Sequence, residues 1–118
     1  MMKLEDIKKN LDLINDIDWE MTPEMAVILY LEWGNNSVAG KNVIKSKRDF
    51  STYFVINTWH EPVIYLIRRN SEDAVELAAI KMPQGVENRF IESVGHNKGV
   101  YSIEGEVKDW LKGKLYNA

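Results

Sequence analysis

The chain has 118 residues, of which 45% are hydrophobic, with a net charge of −3 and no cysteine. This length predicts a single domain over residues 1–118 with enough apolar side chains for a buried core. The lack of cysteine excludes disulfides, thiol catalysis and cysteine-ligated zinc or iron–sulfur sites. The sequence has no apolar run of about 18 residues and no signal-peptide pattern, which predicts a cytoplasmic protein with no membrane partner.

Charge is unevenly distributed along the chain. Residues 1–33 carry eight acidic and three basic side chains. Residues 34–69 carry two acidic and six basic side chains, and residues 70–118 carry eight acidic and six basic side chains. The central segment is therefore a basic island in an acidic chain, a pattern that bears on the choice of partners. The basic island consists of Lys41, Lys45, Lys47, Arg48, Arg68 and Arg69.

Two helices are predicted in the first third of the chain. Apolar residues at helical spacing predict an amphipathic helix near residues 3–15. These residues are Leu4, Ile7, Leu11 and Ile14. The segment Thr22-Pro23-Glu24 is a helix start signal in front of an apolar run, which predicts a buried helix near residues 22–33 that packs on a sheet.

The stretch from Tyr53 to Arg69 (YFVINTWHEPVIYLIRR) is the predicted centre of the fold. Apolar side chains occupy both alternating sets of positions, which is typical of interior strands covered on both faces. The sequence therefore predicts two strands that meet at a turn at His60 and Glu61. We expect Tyr53 and Trp59 to lie in the core.

Three more helices are predicted after these strands, near residues 71–81, 85–94 and 104–116, because apolar residues recur there at helical spacing. Asn70 or Ser71 is the expected N-cap of the first, and Gly95 the expected end of the second. A short strand is expected between Gly99 and Ile103. The fold class is therefore α+β: a small, mostly antiparallel sheet centred on residues 52–69 and packed by about five helices.

Two groups of polar residues are candidate sites. The basic island could bind an anion such as a nucleotide, a phosphorylated metabolite or nucleic acid, although the acidic chain and the lack of a recognised motif disfavour nucleic acid. The second group is the glycine-flanked loop His96-Asn97-Lys98. His60 and His96 are also candidate general bases, but two distant histidines predict neither a metal site nor a cofactor.

Four phrases of the sequence resemble a known family when taken together. They are LEWGNN, SKRDFSTYFVINTW, LIRRNSEDAVELA and KGVYSIEGEVKDWL. They resemble a family of small uncharacterised proteins found mainly in sulfate-reducing and related anaerobic bacteria, over about Leu31 to Leu115. The resemblance implies a bacterial, cytoplasmic setting, and it implies no reaction, ligand or catalytic residue.

Three functions stay open on the sequence alone. The leading hypothesis is a non-enzymatic interaction or accessory module that self-associates, as a homodimer, or binds a protein partner. The alternative is a binder of an anionic ligand through the basic island. The third is a small hydrolase or transferase that uses His60 or His96.

Overall fold

The computed structural model describes residues 1–20, 51–69 and 74–116. Its elements, in chain order, are α1 (Leu4–Lys9), α2 (Leu11–Asp16), β1 (Ser51–Asn57), β2 (Val63–Arg69), β3 (Ala74–Lys81), α3 (Gln84–Val94), β4 (Val100–Ser102) and α4 (Gly105–Tyr116). The fold is α+β, as predicted. The predicted helix near residues 22–33 lies outside the described residues. In the described part of the chain, no helix has the length and apolar character needed to cross a membrane.

The sheet is antiparallel with the strand order β3-β2-β1-β4. Strands β1 and β2 occupy its centre and pair along their whole length, with Phe54 opposite Leu66 and Ile56 opposite Ile64. The prediction of a central two-strand unit is therefore confirmed. Antiparallel neighbours need only a short connection, and residues 58–62 supply it.

Both faces of the central strands are buried. Phe54, Ile56, Ile64 and Leu66 belong to the main apolar core, together with residues from α1, α2, α3 and α4. On the opposite face Tyr53 and Val55 are also almost fully buried. The apolar character of both alternating sets of positions thus corresponds to burial on both faces, as predicted.

The predicted helix near residues 71–81 is wrong, because residues 74–81 form the strand β3. Ala78 and Ile80 are buried opposite Leu66 and Ile64, so they fill the same core that a helix would have reached. The register shifts between Leu66 and Ile67, which places Leu77 as an extra residue in a β-bulge. The bulge interrupts the alternation of buried and exposed side chains along β3. The sequence of this segment therefore lacks the two-residue period that is typical of a strand. The predicted N-cap at Asn70 or Ser71 lies outside the described residues.

The predicted helix near residues 3–15 is two short helices instead of one. Asn10 has an extended backbone conformation and separates them, and its side-chain oxygen accepts a hydrogen bond from Leu13 N at 3.1 Å. Asn10 is therefore the N-cap of α2. The break turns Leu11 away from the core, where it is 70% exposed, while Ile7 and Ile14 remain buried as predicted.

The remaining predicted elements agree with the structure. Helix α3 ends at Gly95, whose φ of 80° lies in the left-handed region that favours glycine. Helix α4 buries Val107, Leu111 and Leu115 along one face. The short strand expected between Gly99 and Ile103 is β4, which pairs with the end of β1.

Short pairings cover parts of the strand edges. Met2 forms an isolated parallel bridge with Ala78, in which Met2 N donates to Leu77 O at 3.0 Å, beside the bulge in β3. Ile17 forms a similar bridge with Thr52, and Asp18 N donates to Thr52 O at 2.7 Å. Bulges and short covering segments are common means of preventing edge-to-edge pairing. At these two positions the strand edges are already paired within the chain.

Candidate functional site

Two loops meet at one end of the sheet. We call their meeting point the turn junction and define it as residues 57–61, between β1 and β2, together with residues 95–99, between α3 and β4. The link between them is Thr58: its backbone N donates to Gly99 O and its hydroxyl oxygen accepts from Gly99 N, both at 2.9 Å. Tyr101 adds a bond from its hydroxyl to Asn97 O at 2.9 Å. The two loops thus form one hydrogen-bonded unit.

Trp59 lies on this unit with its backbone held on both sides. Its N–H donates to Asn57 Oδ1 at 2.9 Å, and its carbonyl oxygen accepts from Lys98 Nζ at 2.9 Å. The residue as a whole, in contrast, is 57% exposed. The expectation that Trp59 lies in the core is therefore wrong. Strand β1 ends at Asn57, where the side chain forms a turn with the backbone two residues on, so Trp59 falls beyond the buried part of the strand.

The predicted polar loop His96-Asn97-Lys98 belongs to this junction. All three residues are exposed, but two of them have a structural role. Lys98 binds the carbonyl of Trp59, and Asn97 O accepts hydrogen bonds from Tyr101 and Thr58. The structure therefore brings the predicted loop next to Trp59 and His60. The sequence did not predict this contact, because the two segments are 36 or more residues apart.

The two imidazoles gain no support as catalytic groups from their surroundings. Both are exposed. Within residues 1–20, 51–69 and 74–116, no hydrogen bond or ion pair involves either ring. The same residues include no group of three His, Asp or Glu side chains that could hold a metal ion. A general base is usually oriented by a partner such as a carboxylate.

The basic island is only partly open to structural description. Lys41, Lys45, Lys47 and Arg48 lie outside the described residues, as does the side chain of Arg69. Arg68 is about half exposed, and its guanidinium lies 3.6 Å from Asp16 Oδ2. Asp16 also accepts a hydrogen bond from the hydroxyl of Thr52 at 2.6 Å. Arg68 therefore has a carboxylate partner, which lowers its value as a free anion-binding cation.

A second polar cluster follows β2 and β3 on the sheet face that carries Tyr53. Burial raises the pKa of Tyr65 above its ordinary value, and the nearby carboxylates of Glu76 and Glu61 raise it further. Burial also raises the pKa of Glu76. Lys81 donates to Glu61 Oε2 at 2.5 Å, and this hydrogen bond raises the pKa of the lysine. Burial therefore shifts the protonation equilibria of Tyr65 and Glu76 toward their neutral forms, while Glu61 is paired with Lys81.

The sequence did not identify Thr58 or Trp59 as site residues. The sequence held one local signal for the turn at Trp59, which is Asn57. An Asn side chain commonly accepts a hydrogen bond from the backbone N–H two residues later. The contacts between Thr58 and residues 97–99 had no signal, because they join segments about 40 residues apart. No protein-family model, curated protein or solved structure matches the chain. The resemblance to proteins of anaerobic bacteria therefore stays a prediction.

Proposed function

We propose that this protein is a non-enzymatic interaction module that self-associates through the turn junction, with Trp59 as the anchor of the contact. The observation that supports this most is the exposed indole of Trp59 on a backbone fixed by Asn57 and Lys98. Tryptophan is enriched among the residues that dominate binding energy at protein interfaces. A side chain on an ordered backbone also loses little conformational freedom when it binds.

Charge at the junction favours a second copy of the chain over a strongly charged partner. Glu61 is paired with Lys81, and the charge of Lys98 lies on the carbonyl of Trp59. Within residues 57–61 and 95–99, the formal charges of Glu61 and Lys98 cancel when both histidines are counted as neutral. A twofold contact places each surface against its own copy, so a surface with no net charge is compatible with it. Twofold dimers are also the commonest oligomers.

The alternative function, binding of an anionic ligand through the basic island, receives no comparable support. Among the residues of the basic island, Arg68 is the one whose side chain the structure describes, and it is paired with Asp16. The hypothesis stays a prediction, and replacement of Lys45, Lys47 and Arg48 by Glu remains its direct test, with loss of binding and of its salt dependence expected.

The test of the proposed function is the concentration dependence of mass in sedimentation equilibrium for the wild type and for Trp59→Ala. We expect the variant to raise the dissociation constant of the dimer by about 30-fold or more, which corresponds to the loss of about 2 kcal/mol seen at interface anchors. Its thermal stability should change by less than about 0.5 kcal/mol, because the side chain is exposed.

Leu11→Ala is the matched control. Leu11 is an exposed apolar side chain as well, but it lies on α2 and not at the turn junction. We expect it to leave the dissociation constant within about twofold of the wild type. A wild-type protein that stays monomeric up to about millimolar concentration, where even weak contacts form, contradicts the proposal. Equal effects of the two substitutions contradict the role of Trp59.

A further inference from the structure

The hydroxyl of Thr58 joins the two loops of the turn junction at the point where the pairing of β1 with β4 stops. The last paired residues are Asn57 and Val100. One step further, Thr58 N donates to Gly99 O at 2.9 Å, as in a strand ladder, but Gly99 N donates to the side-chain oxygen of Thr58, also at 2.9 Å. The hydroxyl therefore satisfies an N–H that would otherwise need a backbone carbonyl. This arrangement lets the backbone leave the sheet directly after Thr58.

The same hydroxyl also acts as a donor. The carbonyl oxygens of Asn97 and Gly99 each lie 3.2 Å from Thr58 Oγ1, so its one proton serves two acceptors of the opposing loop. The side chain is partly buried, which limits competition from water. Thr58 is therefore fixed to residues 97–99 through its backbone and through both functions of its hydroxyl.

Trp59 is the next residue, and its backbone continues from this fixed point. Its N–H donates to Asn57 Oδ1, and its carbonyl oxygen accepts from Lys98 Nζ. Lys98 belongs to the loop that Thr58 holds, so both contacts depend on the same pair of loops. The direction in which the exposed Trp59 leaves the sheet is thus set by bonds among residues 57–59 and 97–99.

We infer that Thr58 is the positioning residue of the self-association site, with Lys98 as a second point of support. Together they hold the backbone of Trp59 in its binding position before a second copy arrives. This inference rests on the proposed function. A residue that becomes ordered only on association costs binding free energy, and a residue that is already ordered avoids that cost. Loss of the hydroxyl therefore weakens the dimer through Trp59, without any contact between Thr58 and the partner.

The experiment measures the dimer dissociation constant by sedimentation equilibrium for Thr58→Val and Thr58→Ser in the full chain. Valine keeps the shape of threonine and loses both hydrogen-bonding functions, whereas serine keeps the hydroxyl. We expect Thr58→Val to raise the dissociation constant about fivefold or more, because a twofold contact contains the change twice. We expect Thr58→Ser to stay within about twofold of the wild type.

The Trp59→Ala background tests whether Thr58 acts through Trp59. There Thr58→Val should change the dissociation constant by less than about twofold, since the side chain that it positions is absent. Its effect on the melting temperature should be equal in both backgrounds, because the same bonds to Asn97 and Gly99 are lost. Lys98→Met decides the matter if Thr58→Val fails to fold, because Lys98 is exposed. It should weaken the wild-type dimer about twofold or more and leave the Trp59→Ala dimer unchanged.

The outcomes separate this inference from the proposed function. A Thr58→Val variant that dimerises as well as the wild type overturns the inference and leaves the interaction module intact. An equal effect of Thr58→Val with and without Trp59 also overturns it, since Thr58 then acts on the fold or touches the partner directly. A Thr58→Ser variant as weak as Thr58→Val has the same consequence, because the hydroxyl is then not responsible. A wild type that is monomeric up to about millimolar concentration refutes the proposed function, and the inference with it.

Discussion

Single residues at the turn junction show how little of a side chain's role its type alone reveals. Lys98 is a cation at a loop tip, and in a sequence it resembles a ligand-binding residue. In the structure its ammonium holds the carbonyl of Trp59. Trp59 belongs to a residue type that is highly buried on average, yet here it is exposed. The position of each group relative to the strand end decides its role.

Glu76 provides a prediction at the same scale. Burial raises the pKa of this carboxyl in the folded protein. The folded state therefore holds the proton more tightly than the unfolded chain does, and this contribution to stability is complete below the unfolded pKa, near 4.3, and is lost as the pH rises through the folded pKa. We expect Glu76→Gln to raise the melting temperature at pH 7 relative to the wild type, and to have little effect at pH 4.

The measurement is a series of thermal melts between pH 4 and pH 8 for both proteins. Glu61→Gln is the informative comparison, because Glu61 forms an ion pair with Lys81. That substitution removes a favourable contact, so it should not stabilise the protein at neutral pH. A Glu76→Gln variant that is less stable than the wild type at pH 7 would show that the carboxylate makes a favourable interaction in the folded state.

At the scale of elements, the sequence predicted those segments whose burial follows one period without interruption. Helices α3 and α4 keep an apolar face at helical spacing, and β1 and β2 are apolar on both faces. The failures occur where a local device breaks the period. A bulge at Leu77 interrupts the strand period of β3, and the N-cap at Asn10 divides the predicted helix near residues 3–15 into α1 and α2. Contacts between distant segments, such as Thr58 with Gly99, leave no periodic trace at all.

One glycine within helix α3 and one at its C-cap should respond oppositely to substitution. Gly95 ends the helix with φ 80° and ψ −166°, a region that side chains rarely adopt, whereas Gly85 lies in the first turn. An added Cβ meets no atom within 4 Å at either position, so packing does not distinguish them. Gly95→Ala should cost about 1–3 kcal/mol through backbone strain. Gly85→Ala should be neutral or stabilise by up to about 1 kcal/mol.

Urea denaturation of the two variants checks this pair. Both substitutions add the same methyl group, one inside helix α3 and one at its C-cap, and neither methyl group meets another atom, so the difference between them reports mainly the backbone conformation. Equal midpoints for Gly95→Ala and the wild type would mean that the helix end relaxes into a conformation open to alanine. A shift in the midpoint with an unchanged slope is the expected form of the result.

For the molecule as a whole, a contact cluster around Trp19 connects the beginning and the end of the chain. The indole packs against Phe54 of β1, with ring centroids 5.4 Å apart, and its N–H donates to the hydroxyl of Tyr116 at 2.6 Å. Lys112 lies over the indole ring, 5.3 Å from its centroid, and Lys108 donates to Trp19 O at 3.2 Å. The segment after α2 is thus fastened to both the sheet and the last helix.

The hydrogen bond between Trp19 and Tyr116 joins residues 97 positions apart, so it restrains the chain over almost its full length. A double-mutant cycle with Trp19→Phe and Tyr116→Phe measures its contribution, since both replacements keep an aromatic ring and remove a polar group. We expect a coupling free energy of about 0.5–1.5 kcal/mol, the usual net value of a hydrogen bond. Tyr116→Phe alone should cost somewhat more than the coupling, because the same hydroxyl also donates to Ile14 O at 3.5 Å. Strictly additive substitutions would show that this bond contributes nothing to stability, and that the contacts of Trp19 with Lys108 and Lys112 suffice to hold the segment after α2 against the last helix.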